Sequence, residues 1–415
     1  MSGIIKASYY IETPYEPEKM AELMAKMQSA GTWSKVKGED DKKMEPFAAK
    51  VAGLKKTGET DLCRLPTRDS YKGPYNCVNV DIHFPAGNIG PNIALVLTTA
   101  AGEIFDLMEL TAVKLTDITF PDEFMENFPG PGFGIKGSRD AAKAYERPLF
   151  GAITKPCVGL SPAEIASLAR SAALAGADFV KDDELLADPP YNRIEDRTRE
   201  VCAALKDAEQ KTGKPCMYAF NVTDDPDRVI RNHDIAVKNG AKAVMFNVAA
   251  GGFNTLKMLA EHTRVPIHCH RDFAVASIRS PYLGISPRVF TKITRMCGGD
   301  QLQVGGIGGY IYETDDEILE SFEVCTEKMG SIAPALPVSS GGMWAGKLPV
   351  NIRRIGGLDF MFLCGGGVFG HPDGGYAGMK SLFAAFEAYK RGEKLEESGE
   401  TSLKRAIEEF GNVVY

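Results

Sequence analysis

Apolar and polar positions are arranged in two different ways along this chain. Over residues 1–140, IIKASYYIET reads as a strand and EPEKMAELMAKMQSAG as an amphipathic helix. Three later runs, YNCVNVDIHFP, NIALVLTTAAG and ELTAVKLTDITFP, are rich in β-branched residues, close in Pro or Gly, and read as strand-like. Helix mixed with antiparallel sheet predicts an N-terminal α+β domain of ferredoxin-like type. The Gly/Pro cluster FPGPGFGIKGSRD then predicts a link to a second domain over residues 141–415.

From Leu149 onward short apolar runs alternate with amphipathic stretches. The runs are LFGAITKP, ADFVKDDE, CMYAFNV, AKAVMFNVA, VPIHCHRD, DQLQVGG, PALPVSSGG and MFLCGGG. Helix-like segments such as SPAEIASLARSAALAG and DPDRVIRNHDIAVKNG lie between them, opening on Ser, Asp or Pro and closing on Gly as capped helices do. Eight strand-helix units predict an α/β fold, a (β/α)8 TIM barrel, followed by a polar helical extension. An open doubly wound sheet is the alternative.

A barrel places chemistry at the carboxyl ends of its strands, and the polar residues fall there. In order, the predicted strands end in Lys155; in Lys181, Asp183 and Glu184; in Asn221; and in Asn247. The next four end in His268, His270 and Arg271; in Gln303; in Ser340; and in Gly365 to Gly367. A purely structural strand face would be apolar at these positions.

Composition narrows the class. Forty-eight basic against 55 acidic residues give a net charge of −7, which argues against nonspecific binding to nucleic acid or to an anionic membrane. No apolar run approaches the ~18 residues of a membrane helix, and MSGIIKASYYIE has no secretory pattern, so a cytoplasmic location is expected. The nine cysteines show no paired spacing and are expected to be reduced thiols, mostly buried.

The strongest local signal is GADFVKDDE, residues 176–184. On a strand, Lys181 and Asp183 share a face, with Glu184 at the following turn. An ordinary ion pair is one reading. A hard-oxygen Mg²⁺ site is the other, and a lysine joins such a site only if its neutral amine captures CO2 as a carbamate.

The chain resembles the large subunit of ribulose-1,5-bisphosphate carboxylase/oxygenase (RuBisCO), and more closely the RuBisCO-like proteins. The resemblance runs through SAGTW (29–33), ITKPCVGLS (153–161), GADFVKDDE (176–184), HCHRD (268–272), SSGG (339–342) and GGGVFGHPDG (365–374). It implies a Mg²⁺ site made of Lys181 as its carbamate, Asp183 and Glu184. It also implies that Lys155 assists proton abstraction at an enolisation step.

The departures restrict the reaction. Cys157 stands where a carboxylase has a second lysine, and Tyr310 aligns with the mobile-loop lysine that orients CO2. Met27 aligns with the amino-terminal glutamate and Glu103 with an asparagine supplied by the partner subunit. Carboxylation is therefore not expected. One family phosphate site, comprising Thr32, Trp33, Ser340, Gly341, Gly342, Gly366 and Gly367, is retained. The other keeps Arg271 but reads Ala274 and Gln303 where the family has histidines. This pattern implies a substrate with one phosphate.

What remains is enolisation of a phosphorylated ketose, with Lys155, the Lys181 carbamate, His270 and Glu103 as candidate bases. The expected enzyme is an isomerase or tautomerase of a sugar monophosphate such as a methylthio-ribulose phosphate. A decarboxylase of a 3-oxo acid-sugar phosphate and a non-catalytic stress or regulatory homologue are the alternatives. The resemblance further implies a homodimer or higher homo-oligomer with shared sites and no small subunit.

Overall fold

The computed structural model describes residues 3–32, 36–37, 41–67, 71–411 and 413–415. Thirteen strands occur among them. Strands β1–β4 are Ile4–Thr13, Lys50–Thr60, Tyr75–Pro85 and Ala112–Thr119. Strands β5–β9 are Leu149–Ile153, Phe179–Lys181, Met217–Asn221, Ala243–Asn247 and Ile267–His270. Strand β10 is Leu283–Ile285, and β11–β13 are Gln301–Gln303, Leu336–Ser339 and Met361–Cys364. The chain forms two compact units.

The first unit contains the residues up to Phe128 together with Phe273–Ile293 and Met329–Ile332. Its mixed sheet has the order β10-β4-β1-β3-β2. Period-two alternation in β1 buries Ile5, Ala7, Tyr9 and Ile11. Helix Pro17–Met27 buries Met20, Ala21, Met24 and Ala25 as one apolar stripe.

One reading changes here, and one strand had no counterpart in the sequence pattern. NIALVLTTAAG forms helix Ile93–Ala101, because the Asn92 side chain caps it by accepting from the amides of Ala94 and Leu95. Its buried Ile93, Val96 and Ala100 then follow a helical rather than an alternating period. Strand β2 carries little apolar signal, being a largely exposed, lysine-bearing edge.

Segment 273–293 reaches back to this sheet through two buried lysines. Lys114 Nζ donates to the carbonyls of Ile278, Ser280 and Leu283 at 2.8, 2.6 and 3.2 Å. Lys292 Nζ lies 2.5 Å from Asp117 and 2.8 Å from the Ile118 carbonyl. Between them these contacts hold β10 parallel to β4.

The second unit is a closed barrel in which β5–β9 are followed by β11, β12 and β13. The open-sheet alternative is thereby excluded. Leu149, Ile153, Phe179, Met217, Ala219, Ala243, Met245, Leu336, Val338, Met361 and Leu363 form its buried interior. Two buried aspartates lie at the starts of strands. Asp178 accepts from Arg147 and the Phe150 amide, and Asp300 accepts from the amides of Phe133, Gly134 and Ile267. The predicted linker thus contains helix Gly134–Ala142, fastened to the barrel through Asp300.

Helix Thr401–Phe410 forms the C-terminal extension. Its residue Ser402 accepts a hydrogen bond from His371 Nε2 at 2.9 Å. All nine cysteines are free, five of them buried. No helix among the described residues is long and apolar enough to cross a membrane.

Candidate active site

The strand alternation that builds the barrel interior also places the polar side chains. Phe179 points inward, so Lys181 and Asp183, two and four residues on, emerge from the same face of β6. The same counting carries Ile153 to Lys155, Ala219 to Asn221, Met245 to Asn247 and Val338 to Ser340. The barrel mouth is thus the polar continuation of its apolar floor.

Lys181 is completely buried. Its Nζ lies 3.1 Å from Glu184 Oε2 and 2.9 Å from the Asp182 carbonyl. Burial lowers its pKa, although Glu184 and Asp183 pull the other way. Glu184 is held at about 2: burial opposes ionisation, and the charge of Lys181, with hydrogen bonds from its amine and from the backbone, overcomes it. Lys155 Nζ lies 2.6 Å from Asp183 Oδ2 and 3.2 Å from Cys157 Sγ. Burial alone would lower the Lys155 pKa, but the hydrogen bonds to Asp183 and Cys157 outweigh it and raise it. In this ion-paired state Lys155 is an ammonium. Cys157 contacts the lysine directly rather than serving only as packing.

His270 accepts the Asp272 amide at Nδ1, 3.1 Å away. Its Nε2 therefore carries the ring proton and faces Glu184 Oε2 at 3.4 Å. Desolvation, reinforced by Lys181, brings its pKa down to about 3. His270 is thus a neutral donor in this arrangement. His268 stacks on Phe179 inside the barrel, with centroids 5.0 Å apart. It faces Gln301 Oε1 through Nδ1 at 3.3 Å and Gln303 Nε2 through Nε2 at 3.1 Å. Gln303 therefore ends an uncharged relay.

Arg271 is engaged by Glu313 in a two-pronged ion pair. Nη1 donates to Oε1 at 2.7 Å, and Nη2 donates to Oε2. The Glu313 side chain is fully buried. Sequence reasoning missed this acid, which sits just before a helix N-cap and carries no motif of its own.

Gly341 and Gly342 follow Ser340 with φ of +96° and +76°, a conformation glycine adopts freely. A Cβ on Gly342 would lie 2.5 Å from the Tyr310 ring. At Gly367 a Cβ would lie 2.2 Å from the Met343 carbonyl. Gly366 opens the short turn Gly366–Phe369. The neighbouring Gly365 lies beside Lys155, whose Cε would be 3.1 Å from an added Cβ. Thr32 and Glu103 belong to the first unit and are exposed, Glu103 opening the turn Glu103–Asp106. Trp33 lies outside the described residues.

A support beneath the KDDE segment was also not anticipated. Asp182, fully buried, accepts from Arg197 Nε at 3.1 Å, Tyr218 Oη at 2.6 Å and the Asn221 amide at 2.9 Å. Arg197 is itself fully buried and also holds the Asn192 and Ala187 carbonyls. Within KDDE, the first aspartate thus faces the surrounding helices, where Arg197 meets it, and the second faces the mouth.

The donor set fits a hard divalent cation. Asp183 offers a carboxylate oxygen beside Lys155, and Glu184 offers one beside the buried Lys181 amine. Asn247, paired in register with His270, has a buried Oδ1 with no hydrogen-bond partner. Oxygen-rich, partly buried surroundings of this kind suit Mg²⁺.

Comparison with known proteins agrees over nearly the whole chain. Residues 4–124 match the ribulose bisphosphate carboxylase large chain, N-terminal domain, and residues 134–410 its catalytic domain. The ribulose bisphosphate carboxylase-like protein of Chlorobaculum tepidum is 37% identical over 97% of this chain and 92% of its own length. The 3-oxo-isoapionate-4-phosphate decarboxylase of Rhizobium rhizogenes is 35% identical over 92% of each chain. A rubisco-like protein from Burkholderia fungorum superposes with a TM-score of 0.90 at 32% identity, covering 98% of this chain and 99% of its own.

Proposed function

The chain belongs to the ribulose bisphosphate carboxylase large-chain family, and from that premise we propose that it is a Mg²⁺-dependent enzyme that enolises a singly phosphorylated ketose and does not fix CO2. One observation carries the reading. The lysine-carboxylate cluster of the barrel mouth is intact, whereas Arg271, the cation retained at the family's second phosphate position, is occupied by Glu313. With Gln303 on a neutral relay, that end suits an uncharged substrate group such as a methylthio end. The glycine turns at 341–342 and 366–367 serve the remaining phosphate through backbone amides.

Asp183, Glu184 and a carbamate on Lys181 would hold Mg²⁺, which supplies Lewis-acid polarisation of a ketose carbonyl and its neighbouring hydroxyl. Burial of Lys181 favours the neutral amine that adds to CO2 with loss of one proton. Lys155 is the base of this reading. Asp183 holds its proton in the ion-paired state, so Lys155 accepts a substrate proton only after releasing its own and giving up that contact. His270 Nε2–H is placed to donate to a developing oxyanion. Thr32 and Glu103 would complete the barrel mouth of a second copy, making a homodimer the active unit, without a small subunit.

The test is proton NMR in D2O with Mg²⁺ and bicarbonate on a panel of ketose monophosphates including 5-methylthioribulose 1-phosphate, with ribulose 1,5-bisphosphate as control. The expected result is Mg²⁺-dependent exchange or conversion of a monophosphate. Turnover of the bisphosphate alone would overturn the reading, and no exchange with any member would favour a non-catalytic homologue. The name of the Rhizobium relative motivates adding a 3-oxo acid-sugar phosphate. Release of CO2 from it would assign decarboxylation instead.

Lys155→Met is expected to slow exchange at least ~10²-fold, the lower end of general-base contributions, with Mg²⁺ affinity retained. Near-normal exchange in this variant, with a comparable loss in Glu103→Gln, would move the base to the partner's Glu103.

A further inference from the structure

Far from the KDDE segment in sequence, two histidines and an aspartate meet on the outer helical layer of the barrel. His233 and Asp234 lie on helix Pro226–Lys238, and His262 ends helix Phe253–His262. His233 is buried, whereas the side chains of Asp234 and His262 are 57% and 41% exposed. His233 Nδ1 is 2.9 Å and His262 Nε2 is 2.7 Å from the same oxygen, Asp234 Oδ1.

The hydrogen bonds behind His233 set its tautomer. Thr263 Oγ1 donates its single proton to the Val265 carbonyl at 2.8 Å and accepts the Val265 amide at 3.1 Å. With its proton on that carbonyl it accepts from His233 Nε2, 3.0 Å away, and in this arrangement that nitrogen carries the ring proton. A neutral His233 then turns a bare Nδ1 lone pair toward a carboxylate oxygen at 2.9 Å. Two lone pairs at that distance repel, and a positive charge belongs between them.

We propose that His233 Nδ1, His262 Nε2 and the Asp234 carboxylate form a binding site for a divalent transition metal of the Zn²⁺ class. The three ligand atoms lie within 4.8 Å of one another. Two imidazoles and one carboxylate suit Zn²⁺ far better than Mg²⁺ and leave a fourth position for water. Thr263 acts as the supporting group that orients a metal-bound histidine. Asp234 and His262 are accessible enough to admit an ion and to open around it. Bound metal would tie together the helices that follow β7 and β8. The inference does not depend on the reaction at the barrel mouth.

The test uses the full-length protein, stripped with EDTA and returned to excess Mg²⁺, titrated with Co²⁺ and followed by its visible absorption. Competition with Zn²⁺ then gives the zinc affinity. One equivalent is expected to bind. His262→Ala and Asp234→Ala should each weaken that equivalent by at least ~100-fold, the upper end of what losing a supporting group costs, with Mg²⁺-dependent exchange unchanged. Equal stoichiometry and affinity in wild type and both variants would overturn the site. So would long-range proton–nitrogen NMR showing both His233 ring nitrogens protonated at neutral pH whether or not Zn²⁺ is added. That result would put a second proton where the metal is proposed.

Discussion

Lys181→Met is expected to abolish Mg²⁺-dependent substrate proton exchange, by roughly 10⁴-fold. That corresponds to several kcal/mol of lost Lewis-acid stabilisation. Methionine keeps much of the lysine's volume but offers no nitrogen to capture CO2. Asp183 and Glu184 would remain as two carboxylates without the third anionic oxygen, so Mg²⁺ affinity should fall with activity. Calorimetric Mg²⁺ titration in bicarbonate, beside the D2O assay, checks both. Unchanged affinity would remove the carbamate from the proposed site. Thermal unfolding in EDTA supplies the control for folding, since Lys181 is completely buried and its replacement is apolar.

The second large effect is on stability. Arg197→Met is expected to cost about 3–5 kcal/mol, as removal of one member of a buried ion pair does. It leaves Asp182 buried with only the Tyr218 hydroxyl and the Asn221 amide as donors. It also deprives the Asn192 and Ala187 carbonyls of their partner. Urea unfolding measures the loss. The double variant Arg197→Met with Asp182→Asn should recover part of it, because the stranded charge is gone. If the double variant is no more stable than the single one, the carbonyl contacts and not the Asp182 charge carry the effect.

These two residues show where sequence reading succeeds and where it stops. Lys181 was legible because KDDE follows an apolar strand, and period-two counting places its lysine and second aspartate on one face. Arg197 was not. It is one of several charged residues in an amphipathic helix, and nothing in IEDRTREVCAALKDAEQKT distinguishes it from solvated neighbours. Glu313 is hidden in the same way. The first aspartate of KDDE was read only as part of a motif, although it is the one that anchors the strand end.

Elements diverged for equally local reasons. The run IALVLTTAA is too short for β-branching alone to separate strand from helix, and one asparagine cap decides it. Strand β2 lacks an apolar face because it is an edge of its sheet.

The eight strand-helix units, the polar strand tips and the glycine turns follow from the sequence alone. Each depends on periodicity, capping or backbone freedom within a few neighbouring residues. Only the tertiary structure decided that Arg271 is neutralised by Glu313, that His270 accepts at Nδ1 and so keeps its ring proton on Nε2, and that segment 273–293 joins the first unit's sheet through Lys114 and Lys292. Those outcomes depend on partners up to 175 residues apart in sequence. Burial and hydrogen-bond direction, not local pattern, choose among such partners.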